Sequence, residues 1–120
     1  MKILIVDDEI RIREVVKEYA HVSGYECDEA SDGKSAVEMA LASDYDCIIL
    51  DIMMPVMDGL EASLAIRLSK HADAKKIPII AMTAQASKEC MQQCSDVGMN
   101  GHLTKPVTSQ KLIETIIEFT

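Results

Sequence analysis

Four short apolar runs in this chain each end on residues able to do polar chemistry. After Ile-Leu-Ile-Val (residues 3–6) come Asp7 and Asp8, and after Cys-Ile-Ile-Leu (47–50) comes Asp51. After Ile-Ile-Ala-Met (79–82) comes Thr83, and after Gly-His-Leu-Thr (101–104) comes Lys105. Singly, each has an ordinary explanation: a helix cap for Asp7 or Asp8, a loop acid at Asp51, a turn at Thr83, a solvated cation at Lys105. Gathered in one place they are a different matter. Three carboxylates in one cleft raise one another's pKa or force the chain apart unless a cation sits among them. Oxygen donors of this kind suit a hard divalent ion, and Mg²⁺ takes one or two carboxylates while leaving room for water and a phosphate oxygen.

Whether they gather depends on the elements that carry them. Apolar, strand-like runs occur at 3–6, 25–29, 47–50, 77–82 and 101–104, each bounded by polar or turn-forming residues. Between and after them the apolar residues recur at helical spacing, as in Ile12, Val15, Val16 and Tyr19, or Leu112, Ile113, Ile116 and Ile117. Asp32, Asp58 with Glu61 three residues on, Ser87, and Thr108 or Ser109 predict helix starts. Gly24 and Gly98 predict the ends of the first and fourth helices. Strict alternation of strand and helix with short connections predicts an α/β fold, a doubly wound parallel sheet of five strands with five helices on its two faces. Parallel strands share a direction, so their C-terminal ends emerge at one edge, the edge where open α/β sheets bind ligands. Only the second strand delivers no polar group of note there.

At 120 residues the chain is read as one domain, 1–120. Its apolar stretches all fall short of the roughly 18 residues that span a bilayer, and the start leads straight into a strand, which predicts a soluble cytoplasmic protein. A net charge of -8 argues against nucleic-acid binding by this chain alone, since such affinity comes from clustered Lys and Arg. Cys27, Cys47, Cys90 and Cys94 show no CxxC spacing and are read as small apolar residues in a reducing compartment.

Five landmarks in order then resemble the receiver domain of two-component response regulators over essentially the whole length. They are Asp7 and Asp8, Asp51 in the segment LDIMMPVMDG, Thr83 in AMTA and Lys105 in LTKP, at suitable intervals. The resemblance implies strand order 2-1-3-4-5, with Asp51 as acceptor of a phosphoryl group from a phosphohistidine. It implies Mg²⁺, with Mn²⁺ as the alternative ion, on Asp8, Asp51 and the backbone carbonyl of Met53, Asp7 acting through a water. Lys105 then stabilises the phosphoryl oxygens, and the Thr83 hydroxyl bonds one of them afterwards.

In such domains the hydroxyl's movement makes room for an aromatic ring on the fifth strand. Here that position is His102, smaller and polar, which predicts a coupling that is weaker or sensitive to pH. Ala84 is small and leaves the channel open. Met53 and Gln85 match the variable positions flanking the site; Met53 cannot orient a water, which predicts slow self-dephosphorylation. Pro106 is expected to follow a cis bond, and Pro55 and Gly59 are read as ordinary turn residues. The partners implied are a sensor histidine kinase or a histidine phosphotransfer protein, docking near Glu9, Arg11, Ile12, Pro106 and Val107. A homodimer through the fourth helix, fifth strand and fifth helix is also implied.

Such a chain is not a conventional enzyme, although it catalyses its own phosphorylation and dephosphorylation. The rival is a small Mg²⁺-dependent phosphatase or phosphotransferase with Asp51 as covalent nucleophile, for which 120 residues leave little room for a substrate pocket. A flavodoxin-like nucleotide carrier would need a Gly, Ser and Thr loop after the first strand, where this chain has acids. The sequence leaves open a free-standing regulator, a phosphorelay shuttle or part of a hybrid kinase.

Overall fold

The structure, a computed structural model, describes residues 1–71, 74–84 and 87–120. The elements alternate as expected: β1 (Lys2–Val6), α1 (Ile10–Val22), β2 (Glu26–Ala30), α2 (Gly33–Ala42), β3 (Cys47–Asp51), α3 (Gly59–Leu68), β4 (Ile79–Thr83), α4 (Lys88–Asp96), β5 (Gly101–Thr104) and α5 (Ser109–Phe119). All neighbouring strands pair in parallel, in the order β2-β1-β3-β4-β5.

Alternation along each strand decides which helix it meets. Ile3 and Ile5 of β1, Ile49 of β3, Ile80 and Met82 of β4 and Leu103 of β5 pack against Val16 of α1 and Leu112 and Ile116 of α5. Leu4, Val6, Ile48, Leu50, Ile79 and Ala81 face the other way, onto Ala36 and Ala40 of α2, Ala62 and Ile66 of α3 and Cys94 of α4. Strands β3 and β4 are buried along their whole length, which is why they read as unbroken apolar runs. Each fully buried Ile or Leu contributes about 1.5–3 kcal/mol, so this two-sided core holds the strand ends in fixed relative positions.

Several strand boundaries differ from the sequence expectation, and two strand starts do so for local reasons. Tyr25 closes the turn that follows α1, its N–H donating to the Ala20 carbonyl at 3.0 Å, so β2 runs one residue later. Pro78 has no N–H to give the ladder, and β4 begins at Ile79, although the Pro78 carbonyl accepts from Ile48 N–H at 2.9 Å. Both β3 and β4 also run one residue further than expected, so Asp51 and Thr83 are the last residues of their strands rather than the first of the loops.

The caps follow the sequence closely. Asp32 accepts from Ser35 N–H, Ser87 from Cys90 N–H, and Thr108, rather than Ser109, from Lys111 N–H. Asp58 and Glu61 form a reciprocal capping box at α3. Gly24 and Gly98 take φ of 87° and 86° as the chain leaves α1 and α4. At the sheet edge away from the strand C-termini, Arg67 of α3 donates to the carbonyls of Ala74 and Gly98 and to Asn100 Oδ1, which also accepts from Ile79 N–H.

The loop between β3 and α3 contains Val56 at φ 67°, with its side chain fully exposed. A β-branched residue in the left-handed region costs about 1–2 kcal/mol, and here no burial offsets it. Asparagine tolerates that conformation, so Val56→Asn should raise stability by about 1 kcal/mol. Urea unfolding at constant m-value checks this, and an unchanged or lower midpoint would contradict it.

Candidate active site

The strand ends do converge. Asp7, Asp8 and Asp51 each place a carboxylate oxygen within 4.8 Å of the others. Their surroundings differ: Asp7 is completely buried, Asp51 is 2% exposed, and Asp8 faces solvent. Lys105, following β5, reaches across β4 to both buried acids, with Nζ 3.0 Å from Asp7 Oδ2 and 3.3 Å from Asp51 Oδ1. Its backbone N–H is anchored on the Thr83 carbonyl at 2.8 Å, and the Lys105-Pro106 bond is cis.

Asp7 does not cap α1, whose N-cap is Glu9 with no side-chain bond. Its Oδ1 instead accepts from the Glu9 N–H at 2.9 Å, while its own N–H donates to the Ala30 carbonyl at 3.2 Å. Oδ2 is left buried without a hydrogen bond of acceptable geometry, and the Lys105 ammonium faces it as an ion pair. An orphaned buried carboxylate oxygen beside two further carboxylates is the donor set that a hard divalent ion takes, so the residues fit Mg²⁺.

Electrostatics follow from burial more than from crowding. Burial pushes the Asp51 carboxyl up to about 6, and the charge of Asp7 adds to this. The Met53 N–H, which donates to Oδ1 at 3.2 Å, and Lys105 work against it. Mutual repulsion among the acids, the cause expected from the sequence, is the smaller of the two. Burial also disfavours the Lys105 ammonium, but close contact with Asp7 and the charges of both acids outweigh it and hold its pKa above the ordinary lysine value.

Thr83 lies at the same edge, one strand away, with its hydroxyl 3.9 Å from Cys90 Sγ at the start of α4. Ala84 follows, exposed, and Gln85 lies outside the described residues. His102 is on β5 opposite Ala81 with its ring exposed to solvent. The methionine segment is split: Met53 is 75% exposed while Ile52 and Met54 are buried. Of the residues expected to meet a partner, Arg11, Ile12, Pro106 and Val107, but not Glu9, line a groove of about 270 Å³, together with Val15, Tyr19 and Lys105. A larger groove, about 600 Å³, lies elsewhere, between α1 and the end of β2. No helix among the described residues is long and apolar enough to cross a membrane.

Two residues escaped the sequence reading. Turn chemistry alone does not account for Gly59, because a Cβ there would run into the Asp51 carbonyl and lie 2.7 Å from Ile52 Cα. Its role is close packing beneath the candidate acceptor. Arg13 donates from Nη1 to the Asp7 carbonyl at 2.8 Å, a contact that no motif signals.

Known proteins are similar to this chain in sequence and fold. The transcriptional regulatory protein SrrA of Staphylococcus aureus is 38% identical over 112 residues, 93% of this chain but 44% of SrrA, so the chain spans less than half of that relative. The chemotaxis response regulator CheY4 of Vibrio cholerae superposes with a TM-score of 0.94 at 37% identity, covering 99% of this chain and 98% of CheY4. The receiver domain of the sensor histidine kinase PA1611 of Pseudomonas aeruginosa PAO1, solved with magnesium coordinated in its active site cleft, gives 0.90 at 32%, covering 98% and 95%. A family profile described as response regulator receiver domain matches residues 3–117, and with it the full run of strands that carries the acids and the lysine: the chain belongs to the response regulator receiver domains of two-component systems.

Proposed function

We propose that Asp51 accepts a phosphoryl group from a phosphohistidine on a sensor histidine kinase or a histidine phosphotransfer protein, and that Thr83 and His102 convert its arrival into a change of surface. The observation that carries this reading is the convergence of Asp7, Asp8 and Asp51 on Lys105 at the C-terminal edge of the sheet. Mg²⁺, or Mn²⁺ in its place, would be held by Asp8, Asp51 and the Met53 carbonyl, with Asp7 acting through a water, and would supply the positive charge that lets an anionic phosphoryl group approach three acids. The magnesium in the cleft of the PA1611 receiver domain supports that assignment.

The Met53 N–H and Lys105 engage Asp51 Oδ1, which leaves Oδ2 to attack phosphorus in line. The new P–O bond forms as the P–N bond to the partner's imidazole breaks, and the departing nitrogen keeps the electron pair and takes up a proton. Lys105 offsets charge on the phosphoryl oxygens in the loose transition state. The groove beside Pro106 is where the partner's histidine-bearing helix docks, an apolar concavity opening onto Lys105.

Once phosphorylated, Asp51 offers oxygens to which the Thr83 hydroxyl donates. The hydroxyl leaves Cys90, and the space beside Ala84 becomes available to the His102 ring. Phosphorylation can shift this equilibrium only by the difference in contacts between the two states. The face that changes is α4, β5 and α5, and a homodimer would form there.

Incubation with acetyl phosphate or phosphoramidate, with and without Mg²⁺, followed by intact-mass measurement, tests the reading. One added phosphoryl group is expected, dependent on Mg²⁺ and absent in Asp51→Asn; equal labelling in excess chelator would sink it. Because exposed Met53 has no group to orient an attacking water, the phosphoryl group should persist for minutes or longer, and Met53→Asn should shorten its life several-fold. Loss of label within seconds from the unaltered protein would contradict that.

A further inference from the structure

We infer that Arg13 is a positioning residue for the metal site, tying the Asp7-Asp8 turn to β2 so that the acids stay gathered before any ion arrives. The inference deepens the reading of Asp7, Asp8 and Asp51 as a Mg²⁺ site and rests on it. Once the chain leaves β1, the Asp7 carbonyl needs a partner, because a peptide oxygen beside a buried carboxylate is costly to leave unpaired. Arg13, in the first turn of α1 and 14% exposed, supplies it from Nη1 at 2.8 Å.

The guanidinium is itself held. Its Nε donates to Glu29 Oε1 at 3.3 Å, and Lys17, one turn along α1, donates to Glu29 Oε2 at 3.0 Å. Glu29 lies on β2 beside Ala30, whose carbonyl accepts the Asp7 N–H. The turn is therefore tied on both sides of one residue, Asp7, by the β2 backbone and by a β2 side chain acting through Arg13. A planar fork can bridge a carbonyl and a carboxylate in fixed directions, whereas a lysine brings a single ammonium to one of them. Glu29 and Arg13 also line the 600 Å³ groove, which gives that groove a wall braced by ion pairs.

Charge and position pull in opposite directions here, which makes the inference testable. A cation bonded to Asp7 repels a divalent ion, so if Arg13 acted by charge alone, removing it would tighten Mg²⁺ binding. As a tether, its removal loosens binding, because Mg²⁺ demands near-octahedral ligands and tolerates little drift. Calorimetric titration with MgCl₂ of wild type, Arg13→Met and Arg13→Lys separates the two accounts. We expect Kd to rise about five- to tenfold in Arg13→Met and to lie between in Arg13→Lys. Amide exchange at Glu9, whose N–H bonds Asp7 Oδ1, should quicken in metal-free Arg13→Met while the core strands stay protected.

Should Arg13→Met fail to fold, Arg13→Lys alone decides, since a charge-only role leaves its Kd equal to wild type. Unchanged or tighter binding in Arg13→Met, or wild-type binding in Arg13→Lys, overturns the inference while leaving the metal reading intact. Wild-type protein without a Mg²⁺ isotherm that Asp8→Asn abolishes overturns both.

Discussion

Asp51→Asn should make the metal-free protein more stable at pH 7.5, by about 2 kcal/mol, although it removes the group on which the proposed chemistry depends. Burial raises the folded-state pKa of Asp51 to about 6, against about 3.9 in an unfolded chain. The folded state thus holds this proton more tightly than the unfolded state does. The resulting stabilisation is fully present below about pH 4, declines as pH rises, and is gone above about pH 6. Each pKa unit corresponds to about 1.4 kcal/mol, and loss of the Lys105 contact offsets part of the gain from the neutral amide. In chelator, Tm of Asp51→Asn should exceed that of wild type by roughly 8 °C at pH 7.5, with the gap closing toward pH 4. Added Mg²⁺ should narrow it from the other side, by stabilising wild type through mass action. A variant less stable than wild type at pH 7.5 in chelator would contradict the account.

The second large effect is expected at Gly59. Its added Cβ would meet the Asp51 carbonyl and lie 2.7 Å from Ile52 Cα and 2.8 Å from the Asp51 carbonyl carbon, all of them backbone atoms that no rotamer change can move. Gly59→Ala should therefore cost about 3 kcal/mol, at the upper end for overpacking, because either β3 or α3 must shift as a unit. The acceptor lies under that contact, so Mg²⁺ affinity should fall with stability. Urea unfolding and metal titration on the same samples check this; a loss below about 1 kcal/mol would show that α3 yields freely. The clash is steric and independent of backbone dihedrals, which is why reading Gly59 as a turn residue missed it.

That miss marks where a sequence stops being informative. Patterns governed by one segment's own chemistry were legible: the unbroken apolar run of β1, the Asp58-Glu61 box, the glycines closing α1 and α4. The site was legible too, because strand direction alone brings Asp7, Asp51 and Lys105 to one edge. What stayed hidden depends on how separate segments approach one another. Arg13 reaching back to the Asp7 carbonyl, Gly59 seated against β3, and Arg67 joining α3 to the loops before β4 and β5 are such cases. The dominance of burial over repulsion at Asp51 likewise follows from how deeply β3 is covered on both faces, a property of the assembled sheet.

The sheet's open flanks carry a consequence for self-association. One flank is β2, studded with Glu26, Asp28 and Glu29; the other is β5, four residues long, with the cis Lys105-Pro106 bond just beyond it. Charged side chains along the first and brevity at the second discourage a foreign backbone from zipping on as an extra strand. Copies of this protein that join must meet through side chains, and so can separate without unravelling the ladder.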